Sequence, residues 1–441
     1  MTSSTPFGPV ARPSLLKRLL SAQESGLIFV ILLLGLALTF FGGSKPAQVK
    51  FALPSDAVVS SEGGTVAITF PSGAAGGSDL ASALGSTLPA SAESANLKII
   101  VGGQATGVIS ARTPRVLDGP PRELLVSREE SKFLNTENLI LLATQASFIA
   151  VMAVGMTAVI VLGGIDLSVG SIYGLAAVIG AGALQTLQRK YLGLDVDAMV
   201  PSEGGAPLWL SLPIGVGVCM LVGAACGAFS GSLIVGLRVH PFIITLGMMA
   251  VLSGIVFVRT QGQSITGFPE SFTKGFMKLQ TGNVYPIPMI IMVVIMLAGM
   301  FALSRLVIGR RVFAIGGNET AAYYAGIPVG RVKIIVFTCC GALAGLSAAM
   351  YLGYYGAAAP GAGQGYELSV IAAAVIGGAS LSGGKGSAFG AVLGALLVQM
   401  INNGMLVLEI DQAYTQIVMG AAIVAAVVLD QTKARFTKVG R

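Results

Sequence analysis

Leu139-Ile-Leu-Leu-Ala-Thr-Gln-Ala-Ser-Phe-Ile-Ala-Val-Met-Ala-Val-Gly-Met-Thr-Ala-Val-Ile-Val-Leu162 runs for 24 residues without a charged side chain. Crossing a bilayer as a helix takes about 20 such residues. The run breaks on Gly163-Gly-Ile-Asp-Leu-Ser-Val-Gly-Ser171 and resumes as a second apolar stretch over 167–187. The paired glycines interrupt one helix, and Asp166 is placed to cap the next by accepting from the amide near Ser168 or Val169. Ser171 leaves a hydroxyl inside the following span. A carboxylate at membrane depth is costly and marks a functional candidate, whereas a cap near the cytoplasmic face costs little. The two roles are compatible, so Asp166, Ser168 and Ser171 are candidates for a translocation pathway.

The rest of the chain repeats this pattern. Hydrophobic residues make up 54% of it and charged residues 11%, against about 25% charged in soluble domains; the mean hydropathy is +0.81. Further apolar runs lie near 26–41, 209–236, 241–258, 286–304, 332–353, 367–381, 387–408 and 414–430. Ten runs of this length predict an all-α polytopic membrane protein, since barrel strands would alternate over only about 10 residues. The 60 glycines suit close helix packing in lipid.

The net charge of +7 is a topology signal. Arg12, Lys17 and Arg18, then Arg238, then Arg305, Arg310 and Arg311, then Arg331 and Lys333, and finally Lys433, Arg435, Lys438 and Arg441 alternate with the spans. The positive-inside rule puts these groups and both termini in the cytoplasm. Arg189 and Lys190 fall on the other side, offset in part by Asp195, Asp197 and Glu203 in the same loop. The charge does not point to nucleic acid. Cys219, Cys226, Cys339 and Cys340 lie inside apolar runs, far in sequence from the single His240. They read as small buried hydrophobes, with no disulfide or metal framework.

This reading divides the chain into a cytoplasmic tail, 1–25, a first span, 26–43, an external insert, 44–130, a transmembrane domain, 131–432, and a cytoplasmic tail, 433–441. The first span lacks an obvious cleavage site, so it reads as an uncleaved helix. In the insert, Thr65–Phe70 and Leu97–Val101 read as strands and Asp79–Leu88 as a helix. A long external loop of this kind escapes the positive-inside rule. Asp166-Leu-Ser-Val169 and Glu367-Leu-Ser-Val370 look alike, which fits either a weak internal duplication or coincidence.

Glu367 opens a span after Gly363-Gln-Gly-Tyr366, a position suited to a helix N-terminus, and with Asn402 and Asn403 it joins the candidates for the translocation pathway. Asn402 and Asn403 lie near the far end of the next span, where they either terminate the helix or face substrate. Gly377-Gly-Ala-Ser-Leu-Ser-Gly-Gly-Lys-Gly-Ser387 resembles a phosphate loop only at first sight, because Gly386 follows Lys385 where Ser or Thr is required. No Walker motif, metal cluster or nucleophile–base set occurs elsewhere. The chain reads as a non-enzyme without a cofactor.

A cation-flanked segment interrupts the spans over 305–333. Within it Asn318 is a good N-cap, Glu319 falls in the first turn, Gly326 supplies a left-handed stop and Pro328 follows. A helix this short is not stable alone in water. Thr320, Ala321 and Ala322 give it a small-residue surface, which calls for a partner protein.

Gly163-Gly-Ile-Asp-Leu-Ser-Val-Gly-Ser171, Ala314-Ile-Gly-Gly-Asn-Glu-Thr-Ala-Ala322, Gly365-Tyr-Glu-Leu368, Val375-Ile-Gly-Gly-Ala-Ser-Leu-Ser-Gly-Gly-Lys-Gly386 and Asn402-Asn-Gly404 together resemble the membrane permease of bacterial ribose/xylose-type ATP-binding-cassette importers. The resemblance covers about residues 130–432 and the first span. Branched-chain amino-acid permeases look distantly similar.

The resemblance implies a multi-pass protein of the bacterial inner membrane that works as a pair of permease subunits, taken as a homodimer. Two cytoplasmic ATPase subunits power it, and a periplasmic binding protein delivers a monosaccharide or related polyol. It also implies that Asn318, Glu319, Thr320, Ala321, Ala322 and Gly326 form the coupling helix that sits in a cleft of the ATPase, although Thr320 departs from the family's Glu-Ala-Ala. The long 44–130 insert departs from the usual short external loop. An ion-coupled secondary transporter is the competing reading, but it has few intramembrane ionisable groups to work with. A membrane receptor with the insert as its sensory part is a third.

Overall fold

The structure is a computed structural model and describes residues 23–53, 57–62, 65–70, 97–101, 104–109, 112–117, 123–195, 198–279, 284–415, 417, 418, 420, 421 and 424. The basic tails, the expected helix Asp79–Leu88 and most of the expected span 414–430 lie outside these residues. The chain forms two compact units: a β unit over Thr39–Asn135 and a helical unit from the remainder.

The helical unit contains α1 (Gln23–Phe41), α2 (Thr136–Val161), α3 (Val169–Tyr191), α4 (Leu208–Leu237), α5 (Pro241–Thr260), α6 (Pro286–Arg305), α7 (Val307–Gly317), α8 (Glu319–Tyr324), α9 (Val329–Tyr355), α10 (Tyr366–Ile376) and α11 (Ala388–Val407). Among the described residues eight helices are long and apolar enough to cross a membrane, against the ten spans expected. One shortfall is α10. It has 11 residues, about 16 Å at 1.5 Å per residue, which is half of a hydrocarbon core of about 30 Å. The apolar run over 367–381 is broken at Gly377, so its composition overstates the helix. The first helix begins at Gln23, three residues ahead of the expected start.

Burial separates the centre of the bundle from its outer edge. Of each helix's most apolar window, 72% is buried in α2, α3 and α11, but only 6% in α6 and 11% in α1. The closest packing joins α4 to α9 through a glycine seam. A Cβ on Gly223 would overlap the carbonyl of Gly341, and one on Gly341 would overlap the carbonyl of Gly223. One turn along α4, Gly227 meets the Phe337 carbonyl in the same way. With little hydrophobic drive between helices in lipid, such backbone proximity is what holds them together. The seam places α9, and with it the short α8, in fixed register on α4.

Local chemistry sets the helix borders. α4 ends at Arg238, which takes the left-handed conformation at φ 53°. α5 starts with Pro241 at its first turn, and His240 Nδ1 accepts from the Phe242 amide at 3.3 Å. α11 is capped by Ser387, whose Oγ accepts from Gly390 N at 2.9 Å and donates to Glu24 of α1 at 3.1 Å.

Among its described residues the β unit has seven strands: β1 (Ser44–Ala52), β2 (Val58–Glu62), β3 (Thr65–Phe70), β4 (Leu97–Val101), β5 (Gln104–Ile109), β6 (Arg112–Leu117) and β7 (Glu123–Ser131). The two strands expected from sequence are β3 and β4. They pair in parallel, with Ile68 opposite Ile99, at the centre of a sheet ordered β2-β3-β4-β5. The other sheet is antiparallel, ordered β1-β7-β6. Ile68, Phe70, Leu97 and Leu124 are fully buried.

Candidate translocation site

Asp166 lies in the linker between α2 and α3, and it is wholly buried rather than at an open helix end. Its Oδ1 accepts from the Ser168 amide at 2.9 Å and from the Ser168 hydroxyl at 2.5 Å. Its Oδ2 has no hydrogen-bond partner. Ser171 Oγ donates to the Ser168 carbonyl at 2.8 Å. Thr245 of α5, also buried, has its hydroxyl 3.3 Å from the Ile165 carbonyl of the linker and 3.3 Å from the Phe242 carbonyl of its own helix.

The first turn of α3 meets the N-terminus of α10. Gly170 has room for no side chain, since a Cβ there would overlap the Gly363 carbonyl and lie 2.5 Å from Glu367 Oε2. Gly363 itself sits at φ +86°, open to glycine at no steric cost. This approach closes a cavity of 310 Å³ between α3, α5 and the loop before α10. At a water's share of about 30 Å³ it would hold about ten waters, room for one small ring compound. Ser171, Ser253, Gln364 and Glu367 supply its polar lining, and Met249, Ala250 and Val256 its apolar wall. Beneath it Tyr173 packs against Tyr366 at 5.3 Å and Tyr351 at 5.7 Å between ring centroids. A largely apolar pocket with a few convergent polar groups is the ordinary form of a small-molecule site.

Of the pathway candidates, the structure brings Ser171 and Glu367 to this cavity, and Asp166 and Ser168 to the linker beside it. Asn402 and Asn403 are elsewhere. α11 continues past both to Val407, and Asn403 exchanges hydrogen bonds with Asn138 of α2 at 2.6 and 3.0 Å. The two Leu-Ser-Val segments are not equivalent in geometry: Asp166 precedes α3 by three residues, while Glu367 is inside the first turn of α10. Ser253, Gln364 and the tyrosines did not stand out in the sequence. Gln364 had a signal, as the one long polar side chain in Gly361-Ala-Gly-Gln-Gly365.

The cation-flanked segment folds as two helices. α7 is a helix that the sequence does not announce, with Val312 and Ile315 as its buried stripe. α8 follows with Asn318 as its N-cap, Oδ1 accepting from Ala321 N at 2.9 Å, and Gly326 stops it at φ +81°. Ala322 is buried beneath it, while Thr320, Ala321, Tyr323 and Tyr324 are exposed. Glu319 Oε1 pairs with Lys333 Nζ at 2.6 Å. Both border a second cavity of 780 Å³, which the linker at Gly163 and Gly164, Arg238 and His240 also line.

Among the described residues no group of three or more His, Cys, Asp or Glu could hold a metal ion. A bundle of long apolar helices around a polar-rimmed cavity, with a capped helix exposed at one end, defines a multi-pass membrane transport subunit. Residues 138–427 match the family described as branched-chain amino acid transport system, permease component. The chain belongs to this family: it is a transmembrane permease subunit of a bacterial ATP-binding-cassette importer, resident in the inner membrane.

The ribose import permease of Escherichia coli strain K12 is 38% identical over 311 residues, 70% of this chain and 90% of that one. The D-allose transport system permease of the same organism is 37% identical over 299 residues, 68% of this chain and 85% of that one. The galactose/methyl galactoside import permease of Haemophilus influenzae is 30% identical over 315 residues, 70% of this chain and 90% of that one. No solved structure matches the chain.

Proposed function

We propose that the chain forms the path for a monosaccharide or related polyol that a periplasmic binding protein delivers, and that the 310 Å³ cavity is where the sugar rests in transit. The carrying observation is the cavity's lining. Glu367 only accepts hydrogen bonds, the serines do both, and Gln364 offers two donors and an acceptor. That set matches the mixed donors and acceptors of sugar hydroxyls better than the purely apolar wall a branched-chain side chain needs. The names of the relatives point the same way.

In this reading both termini and the α7–α8 segment face the cytoplasm, and the β unit faces the periplasm. α8, held by Asn318 and Gly326, sits in a cleft of the ATPase subunit, with Glu319, Thr320 and Ala321 toward it. A second copy of the chain completes the permease pair. ATP-driven closure of the ATPase pair moves α8 as a lever, and the path alternates between two states that bind their partners differently.

The test is uptake of labelled D-ribose, D-allose and D-galactose by vesicles holding the permease, its ATPase and its binding protein. Uptake dependent on ATP and on both partners is expected. Uptake by the permease alone under a proton or sodium gradient would establish the secondary-transporter reading instead.

A further inference from the structure

The two cavities share one wall. Gly170, Ser171 and Met249 border the first; Gly163, Gly164 and Pro241 border the second. Pro241 and Met249 are eight residues apart on α5, about 12 Å along the helix, so the wall is about two turns thick. It consists of the α2–α3 linker laid against the start of α5. Over Gly163–Ser168 the linker has no regular helix to stiffen it.

Backbone bonds from the Gly163 and Gly164 amides to the Ile160 and Val159 carbonyls, at 2.9 and 3.0 Å, hold the start of the linker, and two side chains hold the rest. Thr245 Oγ1 lies 3.3 Å from the Ile165 carbonyl across the boundary and 3.3 Å from the Phe242 carbonyl of its own helix, and shares its one proton between them. Asp166 Oδ1 folds the chain back on Ser168. The other carboxylate oxygen, Oδ2, is buried and orphaned. Buried polar atoms are seldom left unpartnered, and a carboxylate oxygen is among the costlier ones to strand. A hydroxyl can satisfy that oxygen, since it both donates and accepts. A sugar offers such hydroxyls, and the linker runs from Gly163 and Gly164 at the second cavity to Gly170 and Ser171 at the first.

The linker is also tied to the exposed end of the bundle. Val161, the last residue of α2, accepts from Gly384 N at 2.8 Å and touches Gly316. Gly316 is two residues ahead of Asn318, the cap of α8. A displacement of α8 therefore reaches the root of the linker through direct contact.

Building on the permease reading above, we propose that Gly163–Ser168 is the inner gate of the sugar path, latched by Thr245, and that Asp166 Oδ2 accepts a hydroxyl from the sugar as the gate opens. In the structure the gate is shut. Release of the latch joins the two cavities, and the orphaned oxygen gains its partner only in the open state.

The test uses the complete importer in vesicles, with labelled D-ribose, D-allose and D-galactose as probes. Thr245→Val keeps the side-chain volume and removes the latch; preloaded vesicles should leak sugar without ATP at least fivefold faster than the native complex. Asp166→Asn should lower ATP-driven uptake at least tenfold in complexes that assemble normally. A third variant guards against misfolding. Ile165→Cys with Thr245→Cys, in a chain whose native cysteines are replaced by serine, is bridged with a short cleavable thiol-reactive linker. Bridging should stop uptake and cleavage should restore it, with neither single cysteine responding. Native uptake together with non-leaking Thr245→Val vesicles and a bridged protein that still transports would overturn the gate alone. A native complex that imports none of the sugars with ATP overturns the sugar-permease reading, and the gate with it.

Discussion

A Cβ atom on Gly316 would overlap the carbonyl oxygen of Val161. The last turn of α7 thus lies directly on the end of α2, with no side chain between the two backbones. Gly317, one residue on, has open space at the same position. Gly316→Ala must push α7 off α2, and overpacking of this kind costs about 1–3 kcal/mol. We expect ATP-driven uptake to fall about tenfold in Gly316→Ala and to stay near native in Gly317→Ala. Equal uptake in the two variants would show that the contact transmits nothing.

Glu319 carries a second prediction. Its pair with Lys333 joins side chains 55% and 20% exposed, and such pairs are worth about 0–1 kcal/mol. Glu319→Arg should therefore leave membrane insertion and the melting temperature almost unchanged. Transport should nevertheless be lost if α8 is the coupling helix proposed above, because the reversed charge would then meet the ATPase. The measurement is uptake alongside ATP hydrolysis in the assembled complex. Native transport by Glu319→Arg would remove α8 from the coupling role.

The glycine seam between α4 and α9 is a prediction about stability. Gly223→Val and Gly341→Val each put a branched side chain where the facing backbone lies, and the helices cannot both keep their places. The cost should be at least the roughly 1–3 kcal/mol of an overpacked core. Gly217→Val, on the same helix with nothing within 4 Å, should be tolerated. Thermal unfolding in detergent separates them: an early transition for the first two, a near-native one for the third.

Glu270 lies between α5 and α6, outside the spans, and gives a pH dependence. The amide of Gly204 donates to its Oε2 at 3.0 Å, and Lys274 donates to Oε1 at 3.1 Å. The amide first and the lysine second hold its carboxyl below the ordinary value of 4.5. The carboxyl is easier to ionise when folded, so its stabilisation is fully present above the ordinary value and is lost as pH falls through the lowered one. Protection of the Gly204 amide from hydrogen exchange should hold at neutral pH and decline only in that acidic range. Glu270→Gln should weaken protection at neutral pH as well.

What the sequence makes legible here is local or cumulative. α8 can be read because Asn318 and Gly326 act within one turn of their own positions, and most spans can be read because length and apolarity add up along the chain. β3 and β4 show in their β-branched residues. α7 escapes notice because Arg310 and Arg311 sit on its outer face and hide a stripe of only a few apolar residues. α10 is overextended because hydropathy cannot register a chain that turns at Gly377. The burial of Asp166 depends on α4 and α9, distant in sequence. The convergence of Ser253, Gln364 and Glu367 joins α5 to the start of α10, which no spacing within one element encodes.

Glu367 is the sharpest point on which the cavity reading stands. Its carboxylate lines the cavity, and Gly170 leaves it room by lacking a side chain. A hydroxyl bound to a charged acceptor is worth about 1.5–3 kcal/mol, roughly 10- to 100-fold in an equilibrium constant. Glu367→Gln keeps the size and loses the charge, so uptake at low sugar should fall by about tenfold or more. Ser253→Ala removes a neutral partner worth about 1 kcal/mol and should cost severalfold at most. Both residues are remote from α8 along the chain, so complexes of either variant should still form with the ATPase. That ordering is what a hydroxyl-binding cavity requires. If Glu367→Gln transports as well as native protein while Gly316→Ala does not, coupling stands but the sugar passes by another route.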